Sequence, residues 1–517
     1  MKLEDFQIEL KQLPGAMPVW LGRVDAQQWR TACQQVRDKG GRLAALWGAD
    51  NSDREQGYAV HAALTVQSGL LVITLPLASE NFPDISDIFP AANRMQRAAY
   101  DLFGVSAANA ADQRKWLRHA AWRADEFPLR KNFVTRHWSP VTPPEAADDY
   151  PFVRVEGEGV HEIPVGPVHA GTIEPGHFRF SIVGEGVLRL EERLGYKHKG
   201  IEKRFEQMDL AQGARLAGRV SGDSTVAFAW AYAMAIESAC GVTPPQRALW
   251  LRALLLERER VGQHLWDLGF MGNDAGLAFG LAQFSCLRED MLRTNAALFG
   301  HRYLMDAIVP GGVARDVDAE GIARIRGEID AVGKTVTLLK DIYDEHAGLQ
   351  DRFIGCGRVK PELADRLGLT GMAGRASGMA WDLRAQFPPV PYDKFEVRMA
   401  THRNGDVAAR ATVRFEEIAE SLRLIGFILS GVPAGDTAAP LPEAPENAFG
   451  IGWVEGWRGE VLIALETGAN NRIRRLHPHD SSWQNWPLLE RAVLGNIVPD
   501  FPLINKSFNL SYSGHDL

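Results

Sequence analysis

One run of side chains limits the architecture more than any other. From Thr225 to Glu237 the sequence reads as a helix, and between Val226 and Ile236 it carries no charged residue. A helix that is apolar on every face must be covered on every face, so the rest of the chain has to supply a shell around it. The run is about half of the ~20 residues a bilayer span needs, which makes it a core helix and leaves membrane association to a partner. Upstream, Pro167-Val168-His169 leads to His177-Phe178-Arg179-Phe180-Ser181-Ile182-Val183, whose apolar alternation predicts a strand. A basic turn follows, Leu194-Gly195-Tyr196-Lys197-His198-Lys199-Gly200-Ile201-Glu202-Lys203. The polar elbow Arg219-Val220-Ser221-Gly222-Asp223-Ser224 then opens into the helix.

At 517 residues the chain is too long for one ordinary core and points to two or three domains. With 45% apolar and 24% charged residues it has the composition of a folded soluble protein, and a net charge of -8 gives no reason to expect nucleic acid. No two of its cysteines, Cys33, Cys240, Cys286 and Cys356, stand in the Cys-x-x-Cys spacing of zinc or iron–sulfur sites. Scattered thiols suit a reducing compartment, and buried structural cysteines are the favoured reading. Met1-Lys2-Leu3-Glu4-Asp5 lacks the basic and then apolar order of a signal peptide.

Taken in order, residues 1–135 read as a small α+β domain, with a helix from Ala26 to Gly40 and a buried strand at Leu70-Leu71-Val72-Ile73-Thr74-Leu75. Residues 136–151, rich in proline and ending beside Asp148-Asp149, have the composition of a linker. Residues 152–517 read as a mostly α-helical domain with a small β region. Thr243-Pro244-Pro245 starts a helix over Gln246 to Phe270. Helices are also expected over about 280–299, 318–346 and 408–429, and a hairpin over Ile451 to Leu465. Within Gln246 to Phe270, Glu257, Arg260 and His264 fall on one face.

The opening stretch, with Pro310-Gly311-Gly312-Val313 and Arg375-Ala376-Ser377-Gly378, resembles the large subunit of membrane-bound nickel–iron hydrogenases of the formate-hydrogenlyase type. It also resembles their relative, the quinone-site subunit of respiratory complex I; the likeness covers roughly residues 150 to 517. Ile85-Ser86-Asp87-Ile88-Phe89-Pro90, Arg97 to Gly104 and Phe127 to Phe133 are similar to motifs of complex I's small peripheral-arm subunit. That second likeness implies a bracing module without a cofactor.

The resemblance also shows what has changed. In the hydrogenases the elbow reads Cys-Gly-x-Cys and a second cysteine pair lies near the C-terminus; here those positions are Ser221, Ser224, Ser511 and Gly514. Nickel in such a centre needs soft thiolates, which a hydroxyl replaces poorly, so no tightly bound nickel, iron or iron–sulfur cluster is expected. Because the two cysteine pairs share one metal site in the family, Ser511 is expected to lie against Ser221. In the complex I relatives a histidine before the strand helps bind the quinone headgroup. His177 aligns best with it and His169 is nearby, the alternative being a loop or capping role. The tyrosine that partners that histidine falls on Gly222. Glu202 matches a proton-relaying glutamate, with Lys199 where the family has arginine; it reads either as a relay or as a salt-bridge partner of Lys199 and Lys203. Asp223 reads as part of a small polar pocket or, preferentially, as a cap with the serines for the helix from Thr225. Glu257, Arg260 and His264 match family positions associated with charge transfer.

Gly333-Lys334-Thr335 is not a phosphate loop, since Glu328 stands where the loop needs glycine. No Gly-x-Gly-x-x-Gly opens a βαβ unit, so any link to NADH runs through kinship and other subunits. The resemblance implies a peripheral subunit on the cytoplasmic side of the inner membrane. Its partners would be an iron–sulfur cluster subunit and antiporter-like and other integral membrane subunits, with a quinone as a possible ligand.

Overall fold

The computed structural model describes residues 6–134, 150–171 and 173–517. The expected linker, 136–151, lies outside the described residues except for Tyr150 and Pro151. The protein is α+β, as the sequence predicts.

The first part is a five-stranded sheet in the order Leu10–Gln12, Val19–Arg23, Gly69–Leu77, Tyr58–Val66, Arg42–Asp50. Val19–Arg23 pairs parallel to Gly69–Leu77 and the other pairings are antiparallel. The Ala26–Asp38 helix forms where expected because Asp25 and Gln28 close a reciprocal capping box at its start. The Ala92–Phe103 helix carries the Arg97-to-Gly104 motif.

The second part begins with an antiparallel sheet of Val160–Val165, His177–Val183 and Gly186–Arg193. The long helices follow as Thr225–Cys240, Gln246–Asp274, Ala278–Phe299, Ala319–Glu345 and Val407–Gly431. Asp318 and Asp406 cap two of them through their side chains. The predicted hairpin is Phe449–Glu455 with Glu460–Thr467, extended by a third strand, Ile473–Asp480, that the sequence reading does not anticipate.

Thr225–Cys240 is buried from Thr225 to Ser238, as its composition demands. It lies on the hairpin so closely that a Cβ added at Gly452 would stand 1.7 Å from the Ala231 carbonyl oxygen. This contact explains the small residues alternating through Gly450-Ile451-Gly452-Trp453. One apolar core runs through both parts. Polar side chains also cross the seam, including Arg94 to Glu490 at 2.9 Å and Arg475 to the Gly48 carbonyl at 3.0 Å. Cys33 and Cys356 are buried, but Cys240 is only half-buried and Cys286, on the outer face of the Ala278–Phe299 helix, is exposed. The buried-cysteine reading therefore holds for two of the four. Among the described residues no helix is long and apolar enough to cross a membrane.

Candidate functional site

The elbow is a tight turn between the Leu210–Ala217 helix and the Thr225–Cys240 helix. Ser221 and Ser224 point inward, while Gly222 is exposed and Asp223 keeps 38% of its side chain accessible. The Ser221 hydroxyl donates to Asp223 Oδ1 at 2.7 Å, and Ser511 Oγ stands 2.8 Å from Ser221 Oγ. With the Ser221 proton committed to Asp223, Ser511 is the donor between the two hydroxyls. Ser511 Oγ also accepts from the Gly514 N–H at 2.8 Å and so caps the C-terminal helix Tyr512–Asp516. The expected meeting of the elbow and the C-terminal segment is realised.

Arg458 completes this cluster from the turn between Phe449–Glu455 and Glu460–Thr467. Its guanidinium forms an ion pair with Asp223 and reaches Ser224 Oγ at 3.1 Å. The neighbouring Trp457 donates its indole N–H to the Asp223 carbonyl at 2.8 Å. Burial alone would raise the Asp223 carboxyl, but Arg458 and the Ser221 hydroxyl hold it below the usual carboxylate range.

The preferred capping reading of Asp223 and the serines is overturned. Ser224 makes no side-chain cap bond. The N–H groups of Val226 and Ala227 donate instead to the Glu259 carboxylate, at 2.7 and 3.3 Å. Glu259 reaches these N–H groups from the adjacent Gln246–Asp274 helix, while the Asp223 carboxylate is engaged by Arg458. Burial pushes the Glu259 carboxyl up to about 8 despite these two bonds. A signal was present in Glu257-Arg258-Glu259-Arg260, since every charge in so leucine-rich a helix needs a partner.

Beside the elbow lies a cleft of about 430 Å³ walled by Gly222, Asp223, Arg458, Ser511, Tyr512, Trp266, Arg288 and Tyr303, among others. Its wall includes neither His177 nor Glu202. His177 starts its strand with Nδ1 3.4 Å from the Gly166 carbonyl and Nε2 accepting from Arg179 at 3.3 Å. Burial, with Arg179 adding to it, lowers its pKa. His169 is closer to the cleft, with Nε2 3.5 Å from the Tyr512 hydroxyl.

Glu202 is buried elsewhere, between Arg475 Nη2 at 3.1 Å and His477 Nδ1. Burial would raise its carboxyl, but these two partners hold it below the ordinary value. The expected pairing with Lys199 and Lys203 is corrected: Lys199 Nζ donates to the Val220 carbonyl at 2.9 Å, and Lys203 Nζ to the Arg130 carbonyl at 3.0 Å. The basic turn thus ties to the elbow through its backbone, leaving Glu202 to partners distant in sequence.

Glu257, Arg260 and His264 do share one face, and they join a wholly buried network. Glu257 accepts from Arg384 at 3.0 Å, Ser421 at 2.6 Å and Tyr392 at 2.5 Å. His264 Nε2 lies 2.8 Å from Glu417, which also binds Arg375 at 2.7 Å and Arg260 at 3.4 Å. Arg375, from the Arg375-Ala376-Ser377-Gly378 motif, reaches Glu455 at 2.8 Å. Burial and nearby Asp382 push the Glu455 carboxyl up to about 7. The network touches the elbow at one turn: Arg260 donates to the Gly456 carbonyl at 3.1 Å, and the His264 ring meets Trp457 edge-on at 6.0 Å.

Among the described residues no three His, Cys, Asp or Glu side chains are grouped to hold a metal ion. At the elbow the donor set is two mutually bonded hydroxyls and a carboxylate neutralised by Arg458. That set does not fit a nickel–iron centre, which requires thiolates.

Comparison with known proteins agrees with this architecture. Residues 22–138 match the family model of the respiratory-chain NADH dehydrogenase 30 kDa subunit, and residues 274–449 that of its 49 kDa subunit. The chain is 30% identical over 485 residues to formate hydrogenlyase subunit 5 of Escherichia coli (strain K12), covering 92% of this chain and 85% of that protein. It is 31% identical over 482 residues to hydrogenase-4 component G of the same organism, covering 92% and 84%. A chain in the structure of the membrane-bound sulfane sulfur reductase, an archaeal respiratory membrane complex, superposes with a TM-score of 0.66 at 24% identity, over 70% of this chain and 99% of that one. The chain belongs to the family of hydrogenase and respiratory-chain NADH dehydrogenase subunits that includes formate hydrogenlyase subunit 5 and hydrogenase-4 component G.

Proposed function

We propose that this chain is the large subunit of a membrane-bound complex of the complex I and hydrogenase-4 type, without nickel–iron chemistry. It passes electrons to a quinone or another acceptor in the cleft beside the elbow, coupled to ion translocation. It sits peripherally on the cytoplasmic side of the inner membrane, beside an iron–sulfur cluster subunit and above antiporter-like and other integral membrane subunits. In this reading residues 1–135 brace the assembly, 136–151 link, and 152–517 form the working module.

The observation that carries the reading is the 2.8 Å contact between Ser221 and Ser511. The two segments that hold metal in the resembled hydrogenases still meet, and hydroxyls stand where thiolates would be. On the acceptor side, Asp223 and His169 are placed to act, the latter through Tyr512; His177 lies outside the cleft wall. On the proton side, Glu202, Glu257 and His264 hold ionisable groups in low-dielectric surroundings, each with a partner able to share a proton. Arg458 fixes the Asp223 carboxylate at the cleft wall.

A second reading, a non-catalytic scaffold or coupling subunit, is favoured by the ion pair of Arg458 with Asp223, which already fills the charge requirement of the elbow. Co-purification from detergent-solubilised membranes tests membership of a complex, and a lone soluble monomer in the cell would overturn it. Stoichiometric nickel in the purified complex would refute the loss of metal. Glu202→Gln and Glu257→Gln separate the two readings: assembly should persist while electron transfer or ion translocation falls by roughly 10²-fold, the scale of a lost proton-transfer group. Unchanged activity in both assembled variants leaves the scaffold reading.

A further inference from the structure

Ile473–Asp480 is a strand, so His477 and His479 face the same side of it. Both are buried, and so is Trp483 on the helix that follows. His477 Nδ1 meets the Glu202 carboxylate. A neutral imidazole facing a carboxylate carries its proton on that nitrogen, so Nε2 of His477 is a bare lone pair. His479 Nε2 lies 3.2 Å from Gln484 Oε1, and the Gln484 amide nitrogen donates to the Ala44 carbonyl at 2.6 Å. That assigns Oε1 as an acceptor, places the His479 proton on Nε2, and leaves Nδ1 of His479 as a second bare lone pair. Burial keeps both rings below the ordinary histidine range, as neutral imidazoles require.

Among the described residues, His477 Nε2, His479 Nδ1 and the Trp483 indole N–H have no hydrogen-bond partner. All three side chains line one cavity of about 20 Å³. Each buried polar atom left without a partner destabilises the fold. A space of at least ~10–15 Å³ with two to four polar partners accommodates one water.

We propose that this cavity binds one ordered water molecule that donates to His477 Nε2 and His479 Nδ1 and accepts from the Trp483 indole N–H. Two acceptors and one donor match the two protons and a lone pair of water. A metal cation would gain nothing from the indole N–H, which is a donor only, and the space is too small for an organic ligand. The His477 ring cannot turn to find another partner, because it stacks on Trp47 at 5.2 Å and 12°, and Trp47 stacks in turn on His61. The water therefore locks the tautomer of His477 with its proton toward Glu202. His477 is a positioning residue for that carboxylate, and the water links it to His479 across a site that both parts of the chain enclose. The site stands on this geometry alone; its use in proton movement rests on the role given to Glu202 above.

The test uses the full-length protein and two readouts that do not involve activity. A high-resolution density map should show one water in contact with the three nitrogens. Nitrogen-15 spectra of labelled histidine should show His477 protonated at Nδ1 with a hydrogen-bonded, unprotonated Nε2. His479→Phe keeps the ring against Trp483 and removes one acceptor. It should abolish the water density, move the His477 Nε2 resonance toward that of a free lone pair, and speed exchange of the Nδ1 proton. Trp483→Phe, which removes the donor instead, should move the same signals in the same direction if the first variant does not fold. A dry cavity in the wild-type map, or a His477 proton on Nε2, overturns the proposal whatever Glu202 does in the assembled complex.

Discussion

The elbow and the charge network meet at the Gly456-Trp457-Arg458 turn, yet they satisfy their polar groups in opposite ways. At the elbow one carboxylate sits at the wall of a cleft, 38% exposed, held by a single guanidinium and the Ser221 hydroxyl. In the network Glu257, Arg260, Arg375 and Arg384 are buried, each engaged by several partners. Buried ion pairs add little net stability over an apolar core, but removing one member leaves the others charged and dry. A substitution at Asp223 therefore meets water at the cleft wall, whereas substitutions in the network do not.

The strongest way to break the comparison is to cut the network at its most shared carboxylate. Glu417 faces Arg375, Arg260 and His264 at once, and these partners hold its carboxyl well below the ordinary value against the burial that would raise it. Glu417→Leu is expected to destabilise the chain by about 3–5 kcal/mol, seen as a lower midpoint in denaturant unfolding. A loss under about 1 kcal/mol would show that the network relaxes as easily as a surface. Glu257→Gln is milder, because the amide oxygen still accepts from one of Tyr392 and Ser421 while the charge toward Arg384 is lost. Its expected cost is about 1–3 kcal/mol, measured the same way.

The network also marks what could be read from the sequence. Helix positions were legible because they rest on local chemistry: Asp25, Asp318 and Asp406 cap, Pro244-Pro245 opens a helix, and the uncharged run Val226 to Ile236 has to be buried. The approach of Ser511 to Ser221 was legible only through resemblance, since no periodicity connects two segments 290 residues apart. Partner choice was not legible. Glu202 has lysines one and three residues away, yet it pairs with Arg475 and His477, 273 and 275 residues on, because those side chains reach it inside the fold. The strand Ile473–Asp480 escaped for a related reason: its arginines and histidines read as surface residues until the first part of the chain closes over them. The Glu259 cap was missed because capping is sought in the residues just before a helix, and this cap arrives from a neighbouring one.

Glu259 sharpens the comparison, since it lies between the two regions and belongs to neither. Its carboxyl, at about 8 in the folded chain against an ordinary 4.5, keeps its proton in the fold after the unfolded chain has released it. Its contribution is thus fully present below about pH 4.5 and is lost as pH rises toward 8. The largest slope a single group can give is about 1.4 kcal/mol per pH unit. Glu259→Gln should remove this slope, so that its stability gains on wild type between pH 5 and pH 8 in parallel denaturant titrations. Parallel curves for the two proteins would mean that the helix N-terminus, with Arg260 nearby, holds the carboxylate ionised.

The smallest effect is expected at the elbow, where it is also most informative. Asp223→Asn removes the charge that Arg458 neutralises but keeps an acceptor for Ser221 and Ser224's neighbour Arg458. The backbone bond from Trp457 to the Asp223 carbonyl is unaffected. Because the Asp223 side chain is more than a third exposed, water screens its charge, and the buried Arg458 keeps its bonds to Ser224 Oγ and the Asn509 carbonyl, so the expected cost is about 1 kcal/mol. Arg458, already in the cleft wall, loses its counter-charge, so the variant gives that wall an uncompensated positive charge. If the cleft takes the electron acceptor, the substitution should change the apparent affinity for it while the unfolding midpoint barely moves. If the elbow is only a structural joint, neither quantity should move. A large loss of stability instead would place Asp223 among the network residues and erase the contrast between the two regions.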